Sequence, residues 1–193
     1  MHKNLKIKSL ISLVQKSQFG NKKYFGYNKY KYIGIIKITT NKKIIGFGET
    51  LVGVYSPKLF KINLSYIAKF IENKSIDEAM IALNNLKRNK FFFDNGILKS
   101  IISGIFIALI DILAQKKNKR HGQIISNLLF NKKSDIDCKS IYASAGSIIS
   151  SNKDFLEDLK LAKKLDIDCF KGRLSIKKDF KEKIFILRNE IKN

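Results

Sequence analysis

The chain has 193 residues, of which 45% are hydrophobic, so it can bury a core and is too apolar for wholesale disorder. Its formal net charge of +22 at pH 7 makes an anionic partner the first hypothesis. Only four basic residues are arginines, however: Arg88, Arg120, Arg173 and Arg188. Because base readout and bidentate phosphate binding favour arginine, and the lysines are spread along the chain, nucleic acid is the less favoured partner.

The cysteines and the first residues of the chain indicate its compartment. Cys138 and Cys169 are too few for a disulfide framework, and both lie in apolar runs, so we predict buried, reduced thiols. Residues 1–14 contain cations but no continuous apolar stretch, so we expect no signal peptide. A cytoplasmic protein is the prediction.

Three strands are predicted in the first quarter of the chain. Residues 5–15 alternate apolar and polar side chains, which is typical of a half-buried strand. Residues 32–39 and 44–49 are rich in isoleucine and flank a polar turn, so they predict a hairpin. The segments 17–30 and 50–58 have the composition of exposed loops.

Three helices follow. Helical spacing of apolar residues predicts one over residues 59–72, and Ser75 with Glu78 forms the sequence pattern of a capping box that opens a second. Residues 97–115 carry a broad apolar face, which predicts a third. That segment also contains Lys99 and Asp111, so we expect a core helix rather than a membrane span. We expect Asp111 to pair with a neighbouring cation and His121 to be solvated.

The pattern changes after residue 115. A basic linker is followed by predicted elements in the order helix, strand, helix, strand, helix, at residues 124–130, 140–145, 154–165, 167–174 and 180–191. Strands alternating with helices predict parallel βαβ units. Residues 1–115 are therefore predicted as an α+β domain and residues 116–193 as the opening of an α/β domain. Parallel strands need neighbours on both edges, so we expect later sequence or another chain to complete the sheet.

Five short motifs follow one another in chain order: Gly46-Phe47-Gly48-Glu49, Ser103-Gly104-Ile105-Phe106-Ile107-Ala108-Leu109-Ile110-Asp111, Leu128-Leu129, Tyr142-Ala143-Ser144 and Lys171-Gly172-Arg173. Their order and spacing resemble the enolase superfamily, in particular its mandelate racemase/muconate lactonizing branch. The resemblance implies an α+β N-terminal capping domain, with a three-stranded antiparallel meander plus helices. It also implies that the first two βα units of an incomplete TIM-like (β/α) barrel follow.

The chain departs from the family pattern in several places. Ile110 stands where the family has tryptophan, Arg120 where it usually has proline, and Phe130-Asn131 where it has two glycines. The family's three carboxylate ligands for Mg²⁺ come from the third, fourth and fifth barrel strands, which lie beyond this sequence, as does the later base. The resemblance therefore implies Mg²⁺ without ligands in this chain. We expect a truncated fragment that is inactive alone.

The predicted catalytic residues are Lys171 and Arg173. They alternate on a strand, so both side chains lie on one face. In the family this position serves proton abstraction next to a carboxylate, and cations there stabilise the developing negative charge. Arginine is a poor base because it stays protonated, so both residues are assigned to electrostatic stabilisation, which suits an acid-sugar dehydratase better than a two-base racemase. The alternative is two ordinary cations flanking a strand.

The tyrosine-rich loop 19–30 and the loop 50–58 match the family's capping loops, so the resemblance implies that Tyr24, Tyr27 and Tyr55 bind substrate. The implied partners are a small carboxylate substrate such as an acid sugar, together with a missing C-terminal half or a second copy of the chain. No membrane partner is expected. The alternatives are plain surface loops, or a basic nucleic-acid-binding module in which tyrosines stack on single-stranded bases.

Overall fold

The computed structural model describes residues 4–18, 30–88, 96–130, 141–144, 151–172, 174 and 180–192. By its internal contacts the chain forms two compact units, Met1–Ile136 and Asp137–Asn193. The predicted domain division at residues 115 and 116 concerns where the barrel domain begins, and it stays a prediction.

The first unit contains a three-stranded antiparallel sheet. Strands β1 (Ile7–Gln18), β2 (Tyr30–Thr40) and β3 (Ile45–Thr50) lie in the order β1-β2-β3. Because side chains alternate along a strand, Ile36 and Ile38 are buried on one face of the sheet, and the residues next to them in sequence lie on the opposite face. The predicted meander is confirmed.

Within the described ranges of the first unit, five helices accompany the sheet. They are α1 (Val52–Tyr55), α2 (Pro57–Ala68), α3 (Ile76–Arg88), α4 (Gly96–Lys117) and α5 (His121–Phe130). The predicted helices all exist, with ends that differ by a few residues.

The prediction of a loop over residues 50–58 is wrong, because α1 and the start of α2 lie there. Pro57 is the first residue of α2, where a missing backbone N–H breaks no helical hydrogen bond. Gly53 serves a close approach rather than a turn, since a Cβ atom on Gly34 would lie 2.5 Å from the Gly53 Cα atom. Both residues that indicated a loop are therefore packing and capping residues of helices.

The predicted capping box at the start of α3 is confirmed. The Ser75 backbone N–H and hydroxyl both donate to Glu78 Oε2, at 2.8 and 2.7 Å, and the Glu78 N–H donates to Ser75 Oγ at 3.3 Å. The backbone and then the side-chain hydrogen bond from Ser75 hold the pKa of the Glu78 carboxyl below its ordinary value, with help from the charges of Lys74 and Lys6.

Helix α4 is the centre of the core. Its buried residues are Leu98, Ile101, Ile102, Gly104, Ile105, Ala108, Leu109, Ile112, Leu113 and Ala114. Within the described ranges, α4 alone is long and apolar enough to cross a membrane by length and composition. These buried side chains pack with those of the sheet and the other helices, as predicted for a core helix.

The second unit contains a βαβα segment. Strands β4 (Tyr142–Ser144) and β5 (Cys169–Lys171) pair in parallel, with helix α6 (Asn152–Lys164) between them in sequence and α7 (Phe180–Lys192) after β5. The predicted parallel βαβ connection is confirmed.

Among the described residues of the second unit, the buried apolar ones belong to helix α6, and Phe155 is the largest of them. The Phe155 ring meets the Phe170 ring edge-on, with centroids 5.7 Å apart. Cys169 is exposed, so the prediction of a buried thiol is wrong for this residue. The physical reason is the width of the sheet: among the described strands β5 pairs with β4 alone, so its residues lack cover. Cys138 lies outside the described residues.

Candidate active site at the ends of the parallel strands

Two of the five sequence motifs are in contact in the first unit, and this packing accounts for the glycines that both motifs contain. Strand β3 lies against helix α4 so closely that a Cβ atom on Gly46 would overlap the carbonyl oxygen of Ala108, and one on Gly48 would overlap that of Gly104. A Cβ atom on Gly104 would in turn lie 2.8 Å from the carbonyl oxygen of Glu49. The glycines therefore permit a backbone-to-backbone contact, and they carry no chemistry of their own.

The carboxylate of Asp111 belongs to the same structural contact. Its Oδ2 atom accepts a hydrogen bond from the Phe47 backbone N–H at 2.9 Å, and its Oδ1 atom accepts one from Gln115 Nε2 at 3.2 Å. His121 Nε2 lies 3.2 Å from Asp111 Oδ1, so Asp111 contacts a neighbouring basic residue, as expected. His121 is 59% exposed but is not simply solvated, because it holds this contact.

In the second unit, polar side chains lie at the carboxyl ends of the two parallel strands. Parallel pairing places Ser144, the last residue of β4, level with Lys171, the last residue of β5. In (β/α) barrels the carboxyl ends of the strands form the active-site face. Lys171 is exposed there, so its ammonium can meet a solute carboxylate or phosphate. Arg173 lies outside the described residues.

Sequence reasoning did not identify Tyr142 as a neighbour of Lys171. The Lys171 Nζ atom lies 5.7 Å from the centre of the Tyr142 ring, a cation–π distance. Tyr142 pairs with Cys169, two residues before Lys171, so the two side chains share one face of the sheet. The signal that could have predicted this contact was the strand register, which the sequence pattern alone does not set.

The backbone just after Lys171 is held by an aromatic contact. A Cβ atom on Gly172 would lie 2.8 Å from Phe155 Cε2, so glycine is the residue that allows the chain to pass this buried ring. Lys183 of α7 is also buried and places its Nζ atom 5.7 Å from the centre of the same ring. Phe155 thus links α6, α7 and the segment that carries Lys171.

Of the three tyrosines predicted to bind substrate, the structure describes one, Tyr55. Tyr55 ends α1 in the first unit, and its side chain is 62% exposed. Tyr24 and Tyr27 lie outside the described residues. Exposure of Tyr55 leaves it accessible to a solute, and its role in substrate binding stays a prediction.

The residues that the structure describes do not form a magnesium site. They contain no group of three or more His, Cys, Asp or Glu side chains that could hold a metal ion.

Comparison with solved structures identifies the fold. A 3,6-anhydro-D-galactonate cycloisomerase from Zobellia galactanivorans matches with a TM-score of 0.72 at 21% identity, over 96% of this chain and 48% of that one. A member of the enolase superfamily from Agrobacterium tumefaciens matches with 0.73 at 17% identity, over 96% and 52%. A mandelate racemase/muconate lactonizing protein from Paracoccus denitrificans, complexed with magnesium, matches with 0.62 at 15% identity, over 89% and 43%.

The chain therefore spans about half the length of the solved structures it matches. They confirm the predicted fold class, a capping domain followed by part of a (β/α) barrel, and the predicted resemblance to enolase-superfamily proteins. No family model matches the sequence, and neither does any curated protein. At these identities the likeness shows the fold alone.

Proposed function

We propose that the chain belongs to the enolase superfamily and forms the capping domain and first two βα units of a Mg²⁺-dependent enzyme. The reaction is proton abstraction next to the carboxylate of an acid sugar, in a dehydratase or a related racemase or cycloisomerase. The observation that carries the proposal is the position of Lys171, at the carboxyl end of a parallel strand and level with the end of its neighbour.

Lys171 stabilises charge in this proposal. Removing a proton next to a carboxylate concentrates negative charge on the carboxylate oxygens, and a fixed cation stabilises that charge more than the charge of the ground state. Arg173 acts in the same way and does not act as a base, because guanidinium stays protonated. Tyr24, Tyr27 and Tyr55 are proposed to bind the substrate, as the resemblance implies.

The Mg²⁺ ion supplies Lewis-acid stabilisation of the deprotonated substrate when it is bound. Its three carboxylate ligands and the base are proposed to come from barrel strands outside these 193 residues. The support for this is the coverage of the matched structures, about half. By itself the 193-residue chain is therefore proposed to be inactive. Its barrel domain is proposed to begin at residue 116, and its location to be cytoplasmic.

The test of the proposed function is the exchange of the α-proton of acid sugars with deuterium from the solvent, followed by NMR in the presence of Mg²⁺. The longest native polypeptide that contains this chain is compared with its Lys171→Met variant. We expect a loss of exchange on the order of 100-fold or more, since one stabilising group at the developing charge is removed. The control is Lys164→Met, at an exposed lysine of α6. Equal exchange by both variants would refute the role of Lys171.

A second function is favoured by one observation, the distribution of charge. Residues 1–136 contain 25 Lys and Arg against seven Asp and Glu, whereas residues 137–193 contain 13 against nine. An acid-poor first unit is also what a module that binds nucleic-acid phosphates would have. Titration with single-stranded RNA and DNA distinguishes the two, because phosphate-driven binding weakens steeply between about 50 and 200 mM salt. An absent or salt-independent response would exclude this function.

A further inference from the structure

Within the described part of the second unit, strands β4 and β5 have one face towards helix α6 and one face away from it. Phe170 lies on the face towards α6, because its ring packs edge-on against that of Phe155, with ring centres 5.7 Å apart. Side chains alternate along a strand, so Cys169 and Lys171 lie on the opposite face. In a (β/α) barrel the helices surround the strands, and the face turned away from the helices is the barrel interior.

Tyr142 shares this interior face with Lys171. The parallel register pairs Tyr142 with Cys169, and residues that pair across two strands point to the same side of a sheet. Lys171 pairs with Ser144, so Tyr142 belongs to the neighbouring layer on the amino-terminal side of Lys171. The Lys171 Nζ atom lies 5.7 Å from the centre of the Tyr142 ring. The ring is therefore within cation–π distance of the ammonium group that the proposed reaction uses.

The contact with Tyr142 can orient Lys171 without cancelling its charge. A lysine side chain has many rotamers, and holding it in one of them costs conformational entropy. An aromatic face attracts a cation through its quadrupole and carries no net charge. A carboxylate would also hold the ammonium, but it would neutralise the charge that a substrate anion needs. Among the described residues, the ion pairs do not include Lys171, so its positive charge stays available to a solute.

We propose that Tyr142 is a positioning residue, which holds the Lys171 ammonium at the carboxyl ends of the strands for the carboxylate of the substrate. This role rests on the proposed function, because it is there that Lys171 acts on a substrate. Tyr142 acts through Lys171 and not through its own hydroxyl group, since the ring makes the contact. An ammonium that is already oriented stabilises the developing negative charge without first losing conformational freedom, which is the advantage of preorganisation.

Space filling alone does not explain a tyrosine at this position. A strand residue that only fills the interior of a barrel is usually Val, Ile or Leu. Tyrosine adds an aromatic face and a hydroxyl group, and a buried hydroxyl needs a hydrogen-bond partner. The aromatic face is the part of Tyr142 that contacts Lys171. Leucine at position 142 would therefore fill the space but lose the contact, which makes it the informative substitution.

NMR of the 193-residue chain tests the contact and needs no activity. Lysines are labelled with carbon-13 at Cε, and the Lys171 signal is identified by its loss in Lys171→Met. We expect the ring current of Tyr142 to shift the ε protons of Lys171 upfield, relative to those of the exposed Lys164. Tyr142→Leu should abolish this shift, because the ring is lost. Tyr142→Phe should keep the shift, because the ring remains and only the hydroxyl group is removed.

The matched control for the NMR test is Phe185→Leu. It also replaces an exposed aromatic ring of the second unit by leucine, but on helix α7, and the Lys171 signal should stay where it is. A Lys171 signal that is not shifted in the wild type, or that stays shifted in Tyr142→Leu, would overturn the role of Tyr142. Either result would leave the proposed function standing, because Lys171 could still act without a positioning residue.

Exchange of the α-proton by the longest native polypeptide that contains this chain tests the consequence for the reaction. Tyr142→Leu should lower kcat about tenfold, which is the size of a cation–π contact shielded from water, and should change KM less. The reason is that the developing charge depends on the oriented ammonium more than ground-state binding does. Tyr142→Phe should keep most of the rate.

Two outcomes of the exchange measurement would count against Tyr142. Equal losses in Tyr142→Phe and Tyr142→Leu would assign the effect to the hydroxyl group and overturn the positioning role of the ring. A wild-type polypeptide that exchanges no acid sugar would refute the proposed function and, with it, the role of Tyr142, even where NMR shows the contact. The NMR result therefore separates a failure of the positioning role from a failure of the proposed function.

Discussion

The Asp111 carboxylate accepts a hydrogen bond of 2.9 Å from the backbone N–H of Phe47, which joins helix α4 to strand β3. This contact explains why an acid lies within the long apolar stretch of the helix. The carboxylate accepts a hydrogen bond from the backbone of the neighbouring strand. The glycines on either side of Phe47 allow this strand to lie close enough to the helix for that hydrogen bond to form.

Asp111→Ala should lower the free energy of unfolding by about 1 to 3 kcal/mol, because it removes the acceptor from the Phe47 N–H in a partly buried setting. Asp111→Asn should cost less, since an amide oxygen can still accept that bond. His121→Ala should cost less than about 1 kcal/mol, because an exposed ion pair contributes little. Urea unfolding measures all three. A larger cost for His121→Ala than for Asp111→Ala would contradict this ranking.

Gly48→Ala should destabilise the first unit by about 3 kcal/mol or more, because the added Cβ atom overlaps the backbone oxygen of Gly104 and neither backbone can yield cheaply. Gly96→Ala is the matched control. A Cβ atom at Gly96 meets no other atom within 4 Å, and alanine favours the helix, so stability should be unchanged or slightly higher. Thermal unfolding compares them, and equal stability of the two variants would refute the close approach of β3 and α4.

Glu78 should give the first unit a pH-dependent stability. Its pKa is lowered in the folded state, so the ionised capping box contributes fully above the ordinary glutamate pKa of about 4.3 and is lost as pH falls through the folded pKa. Glu78→Gln should therefore be less stable than the wild type at neutral pH, and the difference should shrink in acid. Urea unfolding at a series of pH values checks this. A difference that stays constant with pH would contradict the lowered pKa.

Gly172→Ala should loosen the second unit by about 1 to 3 kcal/mol, because the new methyl group pushes on the buried Phe155 ring. Phe155→Leu leaves a smaller side chain there, so the two changes together should cost less than the sum of the single changes. Hydrogen exchange of the α6 amides reports the stability of this unit directly. Strict additivity would show that Gly172 and Phe155 do not press on each other.

The elements with a strong local pattern could be predicted. Alternation identified the strands of the meander, and the Ser75–Glu78 pattern located the start of α3. The prediction of a loop over residues 50–58 failed for two reasons. Proline is common both in loops and as the first residue of a helix, so Pro57 was ambiguous, and the packing of Gly53 on Gly34 is visible only in three dimensions.

The candidate site was predictable only in part, for the same reason. The motif Lys171-Gly172-Arg173 could be found by resemblance, and the structure confirms that Lys171 ends a parallel strand. The contact of Lys171 with Tyr142 could not be predicted, because it depends on the register between strands whose paired residues, Tyr142 and Cys169, lie 27 positions apart in sequence. Exposure of Cys169 was missed because a sequence pattern does not report how many strands flank β5.

The central claim is that this chain contributes Lys171 to a site for proton abstraction from acid sugars. The most direct measurement is Mg²⁺-dependent α-proton exchange by the native polypeptide, captured from its own cells with an antibody against residues 59–72. The account predicts exchange for at least one acid sugar, which Mg²⁺ removal abolishes and Lys171→Met reduces. A folded, captured polypeptide that exchanges no acid sugar with Mg²⁺ present would contradict it.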